Sequence, residues 1–236
     1  MRRLEICLTP SLLHLFPLEQ KVVVVIDVLR ATSTICVAID HGAKKVMPIP
    51  SIDECRKYES DEHIIAAEKN GVKIEGFKYG NSPYDFMSEK VAGKTIFLTT
   101  TNGTKCIEAS KNAHKVIAGS FLNLDATVEW LRQYDNDILL FCAGWKNHYN
   151  LEDSILAGAI ALALEKETNQ ESDSVLHAKI LYRLARPDLV KSIKYSSHYN
   201  RLASFGLKKD IEYCMTPNQN PVIPILDVNG LVKLEG

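Results

Sequence analysis

Short apolar runs alternate along this chain with segments in which apolar residues recur at helical spacing. The run Val22–Ile26 reads VVVVI, which is typical of a strand buried on both faces in a parallel sheet. Further strands are predicted at residues 5–8, 45–49, 64–67, 95–99, 115–118 and 137–142. Helices are predicted at residues 34–40, 52–58, 84–90, 105–111, 124–134 and 151–165. This alternation predicts an α/β fold of three α/β/α layers with a largely parallel or mixed central sheet.

The pattern changes beyond residue 167. A polar tract at residues 168–174 precedes predicted helices at residues 175–185 and 197–205. Residues 217–224 are too rich in proline for a central strand, so we expect the tail to lie at an edge of the sheet. The whole chain, residues 1–236, is interpreted as a single α/β domain. The alternative interpretation is that residues 168–236 form a separate C-terminal lobe.

Composition narrows the classes of protein to consider. The formal net charge is −1 and no dense lysine or arginine run occurs, which argues against a nucleic-acid partner. The apolar stretches are far shorter than the roughly 20 residues that span a bilayer, so no membrane segment is expected. The six cysteines are scattered without a CxxC pair, and no secretory signal is recognised, so we expect reduced thiols and a cytoplasmic location.

Polar residues gather where the predicted strands stop. Asp27 and Arg30 follow the first long strand, Glu68 and Lys69 follow residues 64–67, and a threonine-rich segment follows residues 95–99. Glu152 and Asp153 follow the loop after residues 137–142. If these strands are parallel neighbours, all four groups converge at one edge of the sheet, where α/β proteins bind ligands.

Four carboxylates at these positions suit a divalent cation with a preference for oxygen, such as Mg²⁺. The candidate ligands are Asp27, Glu68, Glu152 and Asp153. Ordinary structural roles are open for the same residues. Asp27 can simply begin a turn and pair with Arg30. Glu152 and Asp153 can stabilise the first turn of a helix, where adjacent side chains point in different directions.

Hydroxyl groups near the same edge suggest an anion site. The segment TTTNGT ends a strand, contains an Asn-Gly turn and begins a helix, although it lacks the spacing of a Walker loop and can also be an ordinary turn. The candidate residues here are Thr100, Thr101, Asn102, Gly103 and Thr104, with Thr32 after the first strand. His198 and Asp210 are weaker candidates because such residues are more often on the surface, and Cys142 is interpreted as a packing residue.

Several of these motifs occur together and in order in one known family. They are DVLRATST at residues 27–34, GNSP at residues 80–83, TTNGT at residues 100–104, CAG at residues 142–144, and Glu152-Asp153 followed by AG at residues 157–158. The sequence therefore resembles 2-phosphosulfolactate phosphatase. The resemblance implies a Mg²⁺-dependent enzyme that converts 2-phosphosulfolactate to sulfolactate and phosphate, a step of coenzyme M biosynthesis in methanogens. One departure is the segment AEKNG, with Lys69 where an arginine is expected in many members.

The resulting hypothesis is metal-assisted hydrolysis of a phosphate monoester. Asp27, Arg30 and Glu68 are the expected catalytic residues, and Arg30 and the threonine segment hold the phosphate. Lys69, Lys146 and Asn81 are expected to contact the small anionic substrate, with its carboxylate and sulfonate groups. An alternative is a phosphatase that acts on another small phosphorylated acid through an aspartyl-phosphate on Asp27, although the DxD motif of such enzymes is absent. A different class is a non-catalytic binding or sensor protein for an anionic metabolite, and a homodimer is compatible with the sequence.

Overall fold

The computed structural model describes residues 1–228 and 230–234. The strands are β1 Arg2–Cys7, β2 Val22–Ile26, β3 Lys45–Pro48, β4 His63–Lys69, β5 Val72–Lys73, β6 Thr95–Thr99, β7 Lys115–Gly119, β8 Ile138–Cys142, β9 Thr168–Asn169, β10 Pro224–Asp227 and β11 Gly230–Lys233. The α-helices are α1 Ala31–Asp40, α2 Ile52–Arg56, α3 Gly103–Ala109, α4 Leu124–Leu131, α5 Leu151–Ala163, α6 Asp173–Ala185, α7 Leu189–Ile193, α8 Ser197–Ser204 and α9 Lys208–Cys214. Within these bounds, no helix is long and apolar enough to cross a membrane.

The strands form one mixed sheet in the order β5-β4-β6-β3-β11-β10-β7-β2-β8-β1-β9. Strands β4, β6 and β3 are parallel to one another, as are β7, β2, β8, β1 and β9. Three antiparallel pairings through the β10–β11 hairpin separate these two blocks, which therefore run in opposite directions. The predicted α/β fold with a largely parallel or mixed sheet is confirmed.

The tail does not lie at an edge of the sheet, and that prediction is wrong. Strands β10 and β11 are inserted at its centre, between β7 and β3. The prolines that argued against a strand fall before β10 or on its first residue, Pro224, where the missing N–H interrupts the hydrogen-bond ladder least. Residues of the region from 168 onward thus contribute to the same sheet as the rest of the chain.

Helices cover both faces of the sheet because its central strands are apolar on both sides. In β2, Val22, Val24 and Ile26 pack on one face with residues of α4, α5 and α6, whereas Val23 and Val25 face α1. A smaller apolar cluster lies between α2 and the strands β4 and β6. These layers match the three-layer arrangement that the continuous apolar strands indicate.

Some predicted helices differ from the structure. Residues 84–90 form no α-helix. The ends of this segment belong to two short 3₁₀ helices, Pro83–Phe86 and Glu89–Val91. Ser88 lies between them and is the N-cap of the second, so no continuous helix forms. Helix α1 begins at Ala31, earlier than predicted, so Thr32 lies within its first turn and not before it. The short helices α7 and α9 were not anticipated from the sequence.

The strand ends that carry polar residues converge, but not because all are parallel neighbours. Five steps of the sheet separate β6 from β2, and these two strands belong to the blocks of opposite direction. Each step rotates a strand by roughly 20–25°, so five steps amount to at least about a right angle. The carboxyl ends of both blocks meet where Gly103 after β6 lies against Asp27 after β2, and a twist of this size accounts for that contact.

Candidate active site

A small polar cavity lies where the loops after β2, β4, β6 and β8 meet helix α8. Its volume is about 20 Å³, enough for a single water molecule or metal ion. The side chains that line it include Asp27, Arg30, Glu68, Asn81, His198 and Arg201. The first four belong to the sequence-predicted site, and His198 was one of its weaker candidates.

Asp27 is buried at the end of β2 and held there by the first turn of α1. The Thr32 hydroxyl accepts a hydrogen bond from the Asp27 N–H at 3.1 Å and donates one to the Asp27 carbonyl at 2.9 Å. Thr32 therefore fixes the Asp27 backbone, and its hydroxyl is not directed at a substrate. Burial raises the pKa of the Asp27 carboxyl to about 7, the positive charge of His198 opposes this shift, and the nearby Glu68 and Glu152 add to it.

Glu68, at the end of β4, uses both oxygens to hold the threonine segment and its own hairpin. Its Oε1 accepts hydrogen bonds from the Thr101 hydroxyl at 2.9 Å and from the Gly71 N–H, and its Oε2 accepts one from the Thr101 N–H at 3.2 Å. Asn70 donates its N–H to the Thr101 hydroxyl at 2.9 Å. Glu68 thus links the turns after β4 and β6, and its Oε2 keeps a lone pair for a further partner.

The threonine segment is organised mainly by bonds within itself. Thr104 donates its N–H to the Thr100 hydroxyl at 3.2 Å, and its own hydroxyl donates to the Thr100 carbonyl at 3.3 Å. The Asn102 side chain accepts the N–H of Lys146 at 3.2 Å, which ties this turn to the loop after β8. A Cβ atom on Gly103 would lie 2.7 Å from Asp27 Oδ2, so glycine alone allows the helix to approach the carboxylate this closely.

Glu152 and Asp153 point in different directions, as expected for neighbours on a helix. Asp153 accepts the N–H of Val28 on Oδ1 at 2.9 Å and the N–H of Gly144 on Oδ2 at 3.0 Å, which joins the loops after β2 and β8. Burial and the neighbouring carboxylates Glu152 and Asp27 raise the pKa of Asp153 well above its usual value. Asp153 is therefore engaged in holding the two loops together.

Glu152 forms a buried pair with His198 of α8. Glu152 Oε1 lies 2.5 Å from His198 Nδ1, and Glu152 is fully buried. The second oxygen, Oε2, is buried without a hydrogen-bond partner among the described residues. Because Nδ1 faces Glu152, the ring nitrogen left for the cavity is Nε2. His198 is thus a buried site residue and not the surface histidine that its polar helix suggests.

Arg30 is committed to the fold around the site. Its Nη1 lies 2.5 Å from Asp210 Oδ2 on α9, and its Nη2 donates to the Gly71 carbonyl at 2.8 Å. Both partners of the ion pair are buried. The partner of Arg30 is therefore Asp210 and not Asp27, and two of its donors are occupied by protein acceptors.

Arg201 is the cationic residue that sequence reasoning missed. Its guanidinium lies over the ring of Trp145, with Cζ 3.9 Å from the ring centroid. Its Nε and Nη2 atoms are buried and lack acceptors within the part of the chain that the structure describes. Asn81 Oδ1, on the same cavity, is also buried without a partner there. In the sequence, only the position of Arg201 in the SSHYNRL segment, four residues after Ser197, could have drawn attention to it.

A larger cleft of about 690 Å³ adjoins the small cavity and shares Glu68, Thr101 and Asn102 with it. Three lysines line this cleft: Lys69, Lys146 and Lys105. The first two are predicted substrate contacts. Lys146 lies beside Trp145, with its Nζ 4.5 Å from the ring centroid. The cleft therefore offers positive charge directly beside the acidic cavity.

The oxygen atoms around the small cavity suit a magnesium ion. The Asp27 carboxylate and the unpartnered Asn81 Oδ1 are hard donors on this cavity, whereas the oxygens of Glu68 and Asp153 already accept hydrogen bonds. Glu152 Oε2 is also unpartnered, but Glu152 is not among the residues that line the cavity. Magnesium usually takes one or two carboxylates and retains waters. Over residues 1–228 and 230–234, no group of three or more His, Cys, Asp or Glu side chains is arranged to hold a metal.

Cys142 lies in the core, and burial raises the pKa of its thiol well above the usual value. Both observations agree with its interpretation as a packing residue.

Comparison with known proteins gives consistent matches over nearly the whole chain. The family model described as 2-phosphosulpholactate phosphatase matches residues 7–229. A probable 2-phosphosulfolactate phosphatase of Thermotoga petrophila is 43% identical over 219 residues, which are 93% of this chain and 94% of that protein. A protein with the same description from Caldanaerobacter subterraneus subsp. tengcongensis is 38% identical, over 92% of this chain and 91% of that protein. Another from Clostridium acetobutylicum is 36% identical, over 87% of this chain and 89% of that protein.

Proposed function

The chain belongs to the 2-phosphosulfolactate phosphatase family, and we propose that it hydrolyses 2-phosphosulfolactate to sulfolactate and phosphate in a magnesium-dependent reaction at Asp27. As a phosphoric monoester hydrolase it acts on a small anionic phosphorylated substrate. The observation that carries the proposed site is the cavity lined by the buried Asp27, by the unpartnered Asn81 Oδ1 and by Arg201 with its unpartnered donors. Such a concentration of unsatisfied buried polar atoms indicates a place for a ligand.

We assign the metal to Asp27 and Asn81, with Glu68 contributing through the remaining lone pair of Oε2. Glu152, a candidate ligand in the sequence, contacts His198 and does not itself line the cavity. When bound, Mg²⁺ supplies positive charge to the phosphoryl oxygens and lowers the pKa of a water molecule. Asp153 and Thr32 act indirectly: their hydrogen bonds hold the loop that carries Asp27. Glu68 acts in the same way on the turn after β6.

His198 is the side chain best placed to move a proton. Its Nδ1 is fixed against Glu152, which leaves Nε2 to donate to the ester oxygen as the P–O bond breaks and sulfolactate leaves. The lysines of the adjoining cleft, Lys69, Lys146 and Lys105, provide positive charge for the carboxylate and sulfonate of the substrate. The metal ion is thus assigned to the small cavity, the phosphoryl group to its junction with the cleft at Glu68, Thr101 and Asn102, and the acid groups to the cleft.

The experiment is release of inorganic phosphate from 2-phosphosulfolactate by the purified protein, in Mg²⁺ and in EDTA. The proposal expects release in Mg²⁺, its loss in EDTA and its recovery when Mg²⁺ is restored. Release that persists in EDTA would reject the metal assignment and keep the phosphatase. No release under any condition, from a protein that unfolds cooperatively, would reject the assigned substrate.

The same reaction, run with labelled substrate and quenched in acid, separates direct water attack from an aspartyl-phosphate on Asp27. We propose water attack, because Asp27 lacks the DxD partner, with Leu29 at the third position. Acid-quenched reactions with labelled substrate should then leave no label on the protein. Label on Asp27 would establish the covalent route.

The cellular setting is also a proposal. The six cysteines are all free and buried, which suits the reducing cytoplasm. A homodimer stays a prediction from the sequence, to be tested by light scattering of the purified protein.

A further inference from the structure

Arg201 carries two donors that the fold itself does not use. Its Nε and Nη2 atoms are buried and find no acceptor among residues 1–228 and 230–234. An unsatisfied buried donor destabilises the folded state, and more so when it is charged. Native proteins seldom keep such groups unless water or a ligand completes them. These two atoms therefore indicate a ligand with paired acceptor oxygens.

Trp145 fixes the orientation of these donors. The Arg201 guanidinium lies over the indole at 3.9 Å from the ring centroid, and Trp145 is itself anchored by two backbone bonds of 2.9 Å with His148. A guanidinium stacked in this way keeps its N–H groups directed outward in its own plane. Nε and Nη2 form one edge of that plane, and this edge matches two oxygens of a phosphoryl group.

The other arginine at the cavity is not equivalent. Arg30 is bonded to Asp210 and to the Gly71 carbonyl, so its charge is already balanced by a buried carboxylate. Arg201 forms no ion pair within the described part of the chain, and only the more distant charges of Glu152 and Glu68 favour its protonated form. Of these two arginines, Arg201 is therefore the one whose charge is available to a substrate.

We propose that Arg201 binds the phosphoryl group of the substrate through Nε and Nη2, and that Trp145 is the positioning residue for its guanidinium. This inference rests on the proposed function for the identity of the substrate. It transfers to Arg201 the phosphate contact that the sequence assigned to Arg30. The phosphoryl oxygens then lie at the mouth of the cavity that Asp27 and Arg201 line, while the acid groups extend toward the lysine-lined cleft.

The test measures binding without turnover, by calorimetry with inorganic phosphate and, separately, with sulfolactate in the presence of Mg²⁺. Arg201→Met is expected to weaken phosphate binding at least tenfold and to change sulfolactate binding less than threefold. Arg201→Lys, which keeps the charge but not the paired donors, should give an intermediate loss. The matched control is Arg186→Met, which removes an exposed arginine after α6 and should change neither affinity.

Three results would overturn the proposal. They are unchanged phosphate affinity in Arg201→Met, loss of sulfolactate binding in place of phosphate binding, and a wild-type protein that binds no phosphate at millimolar concentration. Failure of the proposed function gives a different pattern, in which the wild type binds phosphate through Arg201 but releases none from 2-phosphosulfolactate. Folding is monitored in each variant by urea unfolding, and Arg201→Met is expected to be at least as stable as the wild type.

The positioning role of Trp145 needs its own comparison. Trp145→Phe keeps an aromatic face under the guanidinium and is expected to retain phosphate affinity within about threefold, whereas Trp145→Leu should lose at least as much as Arg201→Lys. Equal losses in Trp145→Phe and Trp145→Leu would overturn the positioning role.

Discussion

Replacing Asp27 with asparagine should stabilise the metal-free protein at alkaline pH while removing its activity. Burial, together with the nearby charges of Glu68 and Glu152, raises the pKa of Asp27 from 3.8 to about 7. Because the folded-state pKa exceeds that of the unfolded chain, the stabilising contribution of the neutral form is complete below about pH 4. It is lost as the pH rises through 7. Three pKa units at about 1.4 kcal/mol each correspond to a cost of about 4 kcal/mol for the ionised carboxylate.

Asparagine is neutral at every pH and keeps an oxygen for the Ala31 N–H, so Asp27→Asn avoids this cost. Urea unfolding in EDTA at pH 8.5 should therefore show Asp27→Asn to be more stable than the wild type by up to about 4 kcal/mol, with the difference shrinking by pH 5. Asp61→Asn, at an exposed aspartate, is the matched control and should change stability by less than about 0.5 kcal/mol. An Asp27→Asn protein that is equally or less stable at pH 8.5 would refute the electrostatic description of the site.

Magnesium should make the wild type more stable than Asp27→Asn, because a ligand that binds only the folded state stabilises it. Asp27→Asn should lose this stabilisation by Mg²⁺. Equal stabilisation of both proteins by Mg²⁺ would place the metal elsewhere. Gly103→Ala should displace the Asp27 carboxylate, since the added Cβ would lie 2.7 Å from Asp27 Oδ2 and 2.5 Å from Ala31 Cβ, and we expect at least a hundredfold loss of kcat/KM and about 1–3 kcal/mol of stability. Gly93→Ala, where nothing lies within 4 Å of the added atom but the φ of 71° strains a side chain, should lower stability and leave kcat/KM unchanged. Arg30→Met should cost about 3–5 kcal/mol in urea unfolding because it leaves Asp210 buried and unpaired, and a loss below 1 kcal/mol would contradict that role.

Much of the fold could be predicted because the apolar strands carry a strong local signal. The bounds of β2 and β6 agree with the sequence prediction, and α2 begins at Ile52 as predicted, with the Ser51 hydroxyl accepting the Glu54 N–H at 3.2 Å. The central position of the β10–β11 hairpin could not be predicted, because strand order depends on pairings between distant segments. Leu231 pairs with Val46, far along the chain, and no local pattern of apolar residues encodes that choice.

The candidate site was likewise predictable only in part from the sequence. Asp27 and Glu68 were found because each carboxylate directly follows an apolar run. The roles of Arg30 and Arg201 could not be assigned in this way, since the identity of a buried partner decides which cation is available. Arg30 meets Asp210, which lies 180 residues further along the chain, whereas Arg201 meets the face of Trp145. In a sequence, Arg201 is one more basic residue in a polar helix.

The central claim is that Asp27 is a metal ligand in the active site of a magnesium-dependent phosphatase, and one measurement tests it most directly. This is kcat/KM for phosphate release from 2-phosphosulfolactate in saturating Mg²⁺, compared between wild type, Asp27→Asn and the control Asp61→Asn. The account predicts a loss of at least about a thousandfold in Asp27→Asn, which is roughly 4 kcal/mol of transition-state stabilisation, and no loss in the control. Release by Asp27→Asn within tenfold of the wild type would contradict the account.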